Sequence, residues 1–456
     1  MAIKTPMRKQ RIALASILLV ITSISLGETR DGSALQPSAE QLDSLTLERC
    51  LSFALEGNSD LKLAALGVQS SAAQRQELAA QRFPTIGLGA GYALFSENQR
   101  LSPAGVPNDP GAYGQTIING DLNLAMPLFT WGKISADVGS ASFRIKASES
   151  RLGRIKQEVV FQVSAAFYGI LGQRQRLESA RIARKSLEEH QRRVQDLIVA
   201  GKAAKVDLLK MQVRLADLDQ RIIREEEMLR RQKLLLTNLM GLPINPDSFR
   251  VIGQLDSSAK SDESDWSLDT AYTYRLDYLG LQALRDAQER KLTSAKAIRF
   301  PNVAAYASGG TRWMPQADIL QTRAKESDIL VKAGIILALP LFQGGQISAR
   351  IQQQKIALEE AEENLKKMRL QIRMEVESAT MSVKAARARL TVGEAASLQA
   401  AETYRIDQEK YLLGKGTMAD VLEAQSVMLE AETNYTSALY DSKISSAQMR
   451  LALGVK

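Results

Sequence analysis

The chain repeats one short passage, and this duplication constrains its fold more than any other feature of its 456 residues. The sequence PLFTWGKISA starts at Pro127 and PLFQGGQISA starts at Pro340, an offset of 213 (340 minus 127). Three further landmarks recur in the same order at nearly the same offset: Arg-Phe-Pro at 82–84 and 299–301, a Gly-Lys turn at 201–202 and 414–415, and a glycine at 241 and 454. Repeats at a fixed spacing predict two structural copies of one plan.

Two very long helices are predicted after the repeated passages. Only 5% of the residues are aromatic, and from Ile347 onward the apolar residues recur at intervals of three and four, which is the seam of a coiled coil. No proline interrupts the run to Gly414. At 1.5 Å per residue, 132–200 and 345–413 each span about 100 Å. Each run ends at a Gly-Lys turn and returns as a second helix, which predicts an antiparallel helical hairpin.

Each copy also contains two segments with the periodicity of strands. In the first copy apolar residues alternate with glycine from Thr85, and alternation resumes before Phe129. The patterns predict β-hairpins over 85–129 and 302–342, each held between helices. Prolines mark the junctions between strand and helix, because proline lacks the amide donor that a strand or helix interior requires. These junction residues are Pro84, Pro127, Pro301 and Pro340.

The domain plan follows from these landmarks. Residues 1–27 combine a basic start, an apolar run and a small-x-small ending, which predicts a secretory signal peptide. The first repeat is 28–241, an inter-repeat linker is 242–265, and the second repeat is 266–456. Cleavage after residue 27 would remove four basic and no acidic residues, lowering the formal net charge from +8 to +4. That modest charge argues against a nucleic-acid partner.

The sequence offers no constellation for catalysis. Cys50 is the only cysteine and His190 the only histidine, which excludes an intrachain disulfide and a metal site with two imidazoles. No phosphate-binding loop or nucleophile elbow is present. We expect Cys50 to pack in a core and His190 to be solvated in its charged helical run. We also expect no enzymatic activity, no cofactor and no metal, so that any energy must come from a partner.

The predicted strands point to a membrane. Four strands of roughly 10 to 13 residues match tilted membrane strands in length, yet the smallest known barrels need about eight. Lipid does not tolerate an open sheet edge, so copies of the chain must pool their strands. After residue 27 no run of 18 residues is apolar enough for a membrane helix. The prediction is an exported oligomer, mainly α with membrane β.

The chain resembles the TolC family of outer-membrane efflux proteins over 44–454. The resemblance rests on LTLERCLSFALEGNSDLKLA at 45–64, on YLLGKGTMADVLEAQ at 411–425, and on the order and duplication of the Phe-Pro and Pro-Leu-Phe landmarks. It implies a trimeric α/β-barrel in which each protomer gives four strands to a shared 12-stranded barrel in outer-membrane lipid. A long α-helical tunnel would continue that barrel into the periplasm.

The implied role is a passive exit duct of a tripartite efflux or type I secretion system. An inner-membrane pump of the RND or ABC type and a periplasmic membrane-fusion adaptor would deliver the substrate. Two other classes stay open from the residues alone. A periplasmic adaptor also has long hairpins but needs small β domains around a single one, and a structural envelope coiled coil has no reason to carry alternating strands beside loops rich in Pro and Gly.

The resemblance also points to residues at the periplasmic end of the tunnel. Asp420 and Glu423 stand where the family places acidic residues, Tyr411 stands at the position of a gating tyrosine, and Asp207 matches Asp420 in the other repeat. A threefold carboxylate ring in a narrow bore would favour cations and bind divalent ions. Helix capping is the alternative for both aspartates, and ordinary packing is the alternative for Tyr411.

The turns at this end are the expected contacts for the adaptor, through Gly201, Lys202, Gly414 and Lys415. The family often has an arginine or serine close after the turn glycine. Here the segments at 202–204 and 415–417 read Lys-Ala-Ala and Lys-Gly-Thr instead. This departure leaves the bond network at the turns open.

Overall fold

The computed structural model describes residues 44–101, 112–201, 203–255, 266–314, 318–319 and 327–455. The predicted signal peptide at 1–27 and Lys202 lie outside the described residues. The helices are α1 (Leu47–Gly57), α2 (Ser59–Ala80), α3 (Lys133–Val199), α4 (Lys205–Met240), α5 (Leu268–Tyr274), α6 (Leu276–Ala297), α7 (Gln346–Leu412) and α8 (Met418–Leu453). The strands are β1 (Ser44–Leu45), β2 (Thr85–Arg100), β3 (Ala112–Phe129), β4 (Arg250–Val251), β5 (Asn302–Trp313), β6 (Asp318–Ile319) and β7 (Ser327–Ala338).

The two long helices have the predicted positions and equal lengths. Each of α3 and α7 contains 67 residues, and each of the returning helices α4 and α8 contains 36. The residues before the long helices, Gly132 and Gly345, have φ of 78° and 84°. Only glycine adopts this left-handed backbone without strain, and it lets the chain change direction between strand and helix.

The helices form two connected layers that share α3 and α7. Near the strands, α2 packs on α3, α3 on α6, and α6 on α7. At the far end, α4 packs on α3, α3 on α8, and α8 on α7. The predicted seam of α7 is confirmed, because Ile372, Val376, Ala379, Val383 and Ala386 are all buried. Among the described residues, no helix is both long enough and apolar enough to cross a bilayer.

The main sheet is antiparallel in the order β2-β3-β5-β7, with β6 beside β3. Leu88 lies opposite Leu122, Leu122 opposite Gly309, and Gly309 opposite Val331. β3 ends at Phe129 as predicted and continues through Pro127 with a register shift before Phe129. β7 differs from the prediction, because it ends at Ala338 instead of reaching residue 342. The early end of β7 follows from Pro340, which has no amide hydrogen for pairing.

The segment predicted as a linker is folded where the structure describes it. β4 pairs in parallel with β1, and Phe249 is buried. The Lys233 amine donates hydrogen bonds to the backbone oxygens of Pro246 and Phe249, both at 3.0 Å. Cys50 is fully buried in the same core, as predicted, and burial raises the pKa of its thiol to about 12. Residues 256–265 of the predicted linker lie outside the described residues.

Candidate functional site

The sheet has two chemically different faces. One face carries large apolar side chains that are exposed in the single chain, and Leu88 and Val331 are 84% and 74% exposed. The strand register places further large apolar residues of β2, β3 and β7 on this same face. They are Ile86, Tyr92, Leu94, Leu122, Ile329, Ile335 and Leu337. A surface of this kind suits hydrocarbon, because most of its large side chains are apolar and none of them is charged.

The opposite face of the sheet is mostly polar or small, although Leu330 and Ile336 of β7 also lie on it. Its strand register groups Asn119, Asp121, Asn123, Tyr306, Ser308 and Lys332 with several glycines. The amide of Asn119 donates a hydrogen bond to Oδ2 of Asp121 at 2.6 Å. The ring of Tyr306 lies over Gly334, where a side chain would collide with it. This face suits water, so the sheet can separate lipid from an aqueous space.

Exposed aromatic residues mark the boundary between strands and helices. Trp131 stacks on Phe300 with ring centroids 5.0 Å apart and meets Phe129 edge-on, also at 5.0 Å. Phe83 and Phe342 are exposed at the same junctions. Aromatic residues concentrate where a membrane meets water, because their rings are apolar and their edges tolerate polar neighbours. Three junction prolines flank strand ends and Pro127 lies within β3, as described above.

Both borders of the chain are unpaired. Among the described strands, β2 pairs on one side with β3 and β7 on one side with β5. The helices at the far borders are α4 and α7. Each exposes a row of mainly apolar residues whose spacings are three, four or sums of three and four. On α4 the row is Val206, Leu209, Val213, Ala216, Gln220, Ile223 and Leu234, and on α7 it is Leu370, Met374, Met381, Ala385, Ala388, Val392 and Ala395. We call these rows the edge seams.

The sequence analysis did not predict the edge seam of α7, because the longer apolar series from Ile347 already accounts for a coiled-coil seam. The signal that could have found it is a second series, offset by two residues from the buried one, with the same intervals of three and four. A helix with two such seams needs two partner helices. The chain itself supplies one, α8, through the buried seam.

Asp420 caps α8. Its Oδ2 accepts hydrogen bonds from the backbone amide of Thr417 at 2.9 Å and from the Thr417 hydroxyl at 2.8 Å, while Thr417 Oγ1 accepts from the Asp420 amide at 3.2 Å. These bonds from Thr417 lower the pKa of Asp420. The side chain remains exposed, so capping does not prevent its carboxylate from meeting an ion.

The other two predicted carboxylates make no hydrogen bond within the described part of the chain. Glu423 is exposed one helical turn beyond Asp420. Asp207 lies half-buried in the first turn of α4, where the capping residue Ala204 has no side-chain hydrogen bond to offer. The capping bond considered for Asp207 is therefore not made, although a carboxylate in a first turn still interacts favourably with the helix dipole.

Tyr411 lies beside the buried core between the helix ends, and His190 lies next to it. The two rings meet at an angle of 67° with centroids 6.2 Å apart. Burial raises the pKa of Tyr411, and the charge of Asp207 adds to the effect. The structure thus brings Tyr411 and Asp207 close enough for their charges to interact. Asp420 lies in the first turn of α8.

The expectation that His190 is solvated was wrong. It is 2% exposed, although charged residues surround it in the sequence. The reason is that α3 is covered on more than one side, by α4 and by α8, and His190 falls on the covered side with Leu187 and Val194. Of its charged neighbours, Glu189, Arg192 and Arg193 are exposed.

The two turns at the helix ends, at 200–204 and 413–417, are the tip turns. Gly201 and Gly414 both have φ of 71°, are exposed, and have open space around them. Lys415 is exposed, and its amide donates to the Lys410 oxygen at 2.8 Å. Within the described ranges, no three His, Cys, Asp or Glu side chains come together as a set of metal ligands.

Comparison with known proteins agrees with this geometry. The family model "Outer membrane efflux protein" matches residues 50–242 and 271–455. Outer membrane protein TolC of Vibrio cholerae is 20% identical over 81% of this chain and 82% of its own length. Alkaline protease secretion protein AprF of Pseudomonas aeruginosa is 23% identical over 73% of this chain and 69% of its own. The crystal structure of the CmeC outer membrane channel of Campylobacter jejuni superposes with a TM-score of 0.76 at 19% identity, covering 90% of this chain and 85% of that one.

Proposed function

This chain belongs to the outer membrane efflux protein family, and we propose on that basis that three copies of it form one passive exit duct. The protein acts in the outer membrane, and its helices extend into the periplasm as a tunnel. The finer points proposed here are the number of copies, the shared barrel, the gate and the partners.

The two-faced sheet carries the proposal. Its apolar face suits lipid, its polar face suits water, and its two outer strands have edges that no other described strand pairs with. Since membranes exclude open edges, identical sheets must join edge to edge. Three sheets of four strands give a closed barrel of twelve, which lies within the known range of even-numbered barrels.

The helices support the same arrangement. One border of each layer belongs to the first half of the chain, through β2, α2 and α4, and the other belongs to the second half, through β7 and α7. A contact between two different borders is heterologous, and repeated heterologous contacts form a ring when the rotation between copies closes. The edge seam of α4 would then pack against the edge seam of α7 in the next copy.

The tip turns are the proposed gate and docking site. Three copies of Asp420 and Glu423 would surround the bore, with Tyr411 and Asp207 in the packing that holds the helix ends in place. Exposed carboxylates in a narrow aqueous passage attract cations and bind divalent ions. The exposed Gly201, Gly414 and Lys415 of the tip turns, with Lys202, would contact the adaptor.

The proposed partners are a pump and an adaptor, because a passive duct needs another protein to supply energy. We propose that this chain has no enzymatic activity and no cofactor, so an inner-membrane pump supplies the energy and a periplasmic adaptor connects the two. One relative is named for protease secretion and another for pyoverdine export, so we infer that the pump and adaptor, and not the duct, determine the class of cargo. The two alternatives are disfavoured, because neither an adaptor nor a structural coiled coil needs a membrane-length sheet with an apolar face.

Disulfide crosslinking tests the ring of copies. In a Cys50→Ser background, cysteines replace Ile223 on α4 and Val392 on α7, which lie at similar distances from the tip turns on the two edge seams. Oxidation in membranes should give covalent dimers and trimers on a denaturing gel. Each single-cysteine variant is the control and should give no trimer.

Adaptor docking is tested separately by charge reversal. Lys415→Glu should weaken adaptor capture and raise drug susceptibility, while Lys367→Glu, on an exposed position of α7 far from the tip turns, should have no effect. Unchanged adaptor capture by Lys415→Glu together with Lys202→Glu would remove the docking site from the proposal and leave the ring of copies standing.

A further inference from the structure

His190 is a buried polar group without a partner. It is 2% exposed, and neither Nδ1 nor Nε2 has a hydrogen-bond partner among the described residues. Buried polar atoms in native proteins are hydrogen-bonded in the great majority of cases, so each exception calls for an explanation. His190 is also the only histidine in the chain, which makes its behaviour separable from that of any other group.

The side of α3 that carries His190 holds the helix ends together. Ala183 lies seven residues, or two helical turns, before His190 on the same side of α3. Its backbone oxygen accepts a hydrogen bond from the buried Gln425 side-chain amide of α8 at 3.1 Å. The Ser186 and Tyr404 hydroxyls are 3.2 Å apart, which links α3 to α7. His190 completes this row against Tyr411 of α7. A change at His190 therefore acts where three helices meet near the tip turns.

The surroundings of His190 do not compensate a positive charge. From α3 it meets Arg193, a like charge, and from α7 it meets Tyr411, a neutral phenol. α4 contributes the carboxylate of Asp207, whose charge raises the pKa of Tyr411. From α8 the same core receives the apolar Met418 and Val421 and the amide of Gln425. Burial and the charge of Arg193 both lower the pKa of His190.

We propose that His190 is a proton-binding site that couples acidification of the periplasm to loosening of the helix ends. Neutral imidazole fits the packed arrangement of α3, α7 and α8 seen here. Imidazolium fits only when the ring reaches water, so binding of a proton favours an arrangement in which α7 and α8 move away from α3. This inference rests on the proposed duct, whose bore would widen at that end.

The direction of the effect follows from linkage. A histidine exposed to water has a pKa of about 6.5, whereas in the packed arrangement it takes up a proton only at lower pH. Between these two values the loosened arrangement binds more protons, so it gains population as the pH falls below about 6.5. Each unit of difference between the two values shifts the equilibrium up to about tenfold per subunit.

The test uses the full-length protein, purified with a tag that contains no histidine and reconstituted in planar lipid bilayers. Wild-type conductance or open probability should rise several-fold between pH 7.5 and pH 5.5. His190→Phe keeps a flat ring beside Tyr411 but cannot bind a proton, so its conductance should stay at the pH 7.5 level. Glu189→Gln is the matched control, because Glu189 is the exposed neighbour on the same turn, and it should respond like the wild type.

A His190→Phe variant that opens on acidification as the wild type does would overturn the inference. A second measurement needs no variant: solid-state NMR of ¹⁵N-histidine-labelled protein in lipid reports one imidazole, which should still be mostly neutral at pH 6.5 and should take up its proton only at lower pH, together with the rise in open probability. An imidazole that titrates at the ordinary value in the packed protein would also overturn it. Absence of any pore at pH 7.5 would count against the duct itself, and the NMR titration would still decide the state of His190.

Discussion

The guanidinium of Arg275 forms an ion pair with the carboxylate of Glu375, with Nη1 and Oε2 2.5 Å apart, across 100 residues of sequence. The same Nη1 donates to the Ala452 backbone oxygen at 3.3 Å, near the end of α8. Asn58 makes the related bond in the first half of the chain, where its amide donates to the Leu239 oxygen at 2.9 Å near the end of α4. In both halves, a side chain beside a helix break thus fixes the end of the returning helix.

Replacement of Arg275 should strongly destabilise the protein. Arg275 is 1% exposed and also pairs with Asp277, so Arg275→Ala leaves Glu375 without its counter-charge and Asp277 with only the longer contact to Arg154, at 3.8 Å. The expected loss is about 3 kcal/mol, near the lower end for a broken buried pair, because both carboxylates keep some contact with water. Chemical denaturation should show this loss, whereas Arg373→Ala, which breaks an exposed pair with Glu377 on the same helix, should leave the midpoint nearly unchanged.

The two roles of Asp420 can be separated. Thr417→Ala removes the hydroxyl of the capping box and should cost about 1 kcal/mol of local helix stability, visible as faster hydrogen exchange at the start of α8. Asp420→Asn removes the charge and should reduce both cation selectivity and block by divalent ions in bilayer recordings. If Asp420→Asn changed hydrogen exchange but left selectivity and block as in the wild type, Asp420 would be a cap alone.

The thiol of Cys50 should not react in the folded protein. Burial holds its pKa at about 12, so little thiolate exists at pH 8 to 9, and the side chain is out of reach of reagents. A maleimide should label Cys50 only on unfolding. The unfolded chain loses this proton near pH 8.5 and the folded chain does not, so the contribution of Cys50 to stability is full below that pH and decreases above it. Cys50→Ala should therefore lose less stability between pH 8.5 and pH 10 than the wild type.

Adjacent residues on β7 should tolerate charge differently. Val331 lies on the apolar face, so Val331→Lys should cost about 2 to 4 kcal/mol of membrane insertion if it lies near the middle of the bilayer. Lys332 lies on the polar face, and Lys332→Gln should insert normally. The measurement is the yield of heat-resistant oligomer from outer-membrane extracts. Equal yields from both variants would mean that the apolar face does not meet lipid.

The long helices, the strands and their junctions could be predicted because local rules determine them. The buried seam of α7 shows intervals of three and four over many turns, and glycine and proline fix the points where the backbone changes direction. The effect of each proline on its strand was less predictable, since β3 continues past Pro127 through its pairing with β5 whereas β7 ends before Pro340.

The surroundings of His190 and Arg275 could not be predicted from the same rules. Both residues lie among polar neighbours in the sequence, and a single helix shows no sign of which other helices will cover it. The burial of His190 depends on contacts of α3 with α7 and α8, whose hydrogen-bonded residues are 218 and 242 positions apart. The burial of Arg275 depends on partners in α7 and α8 that are 100 and 177 positions away. Only the packed structure identifies which polar residues lose contact with water.

The number of copies in the purified protein tests the central claim most directly. Native mass spectrometry of the signal-cleaved chain, released from detergent micelles extracted from outer membranes, reports that number without any variant. Our account predicts three copies, because only shared strands close the sheet in lipid. A single copy in detergent at all concentrations would contradict it, since one chain would then have to shield both unpaired sheet edges alone.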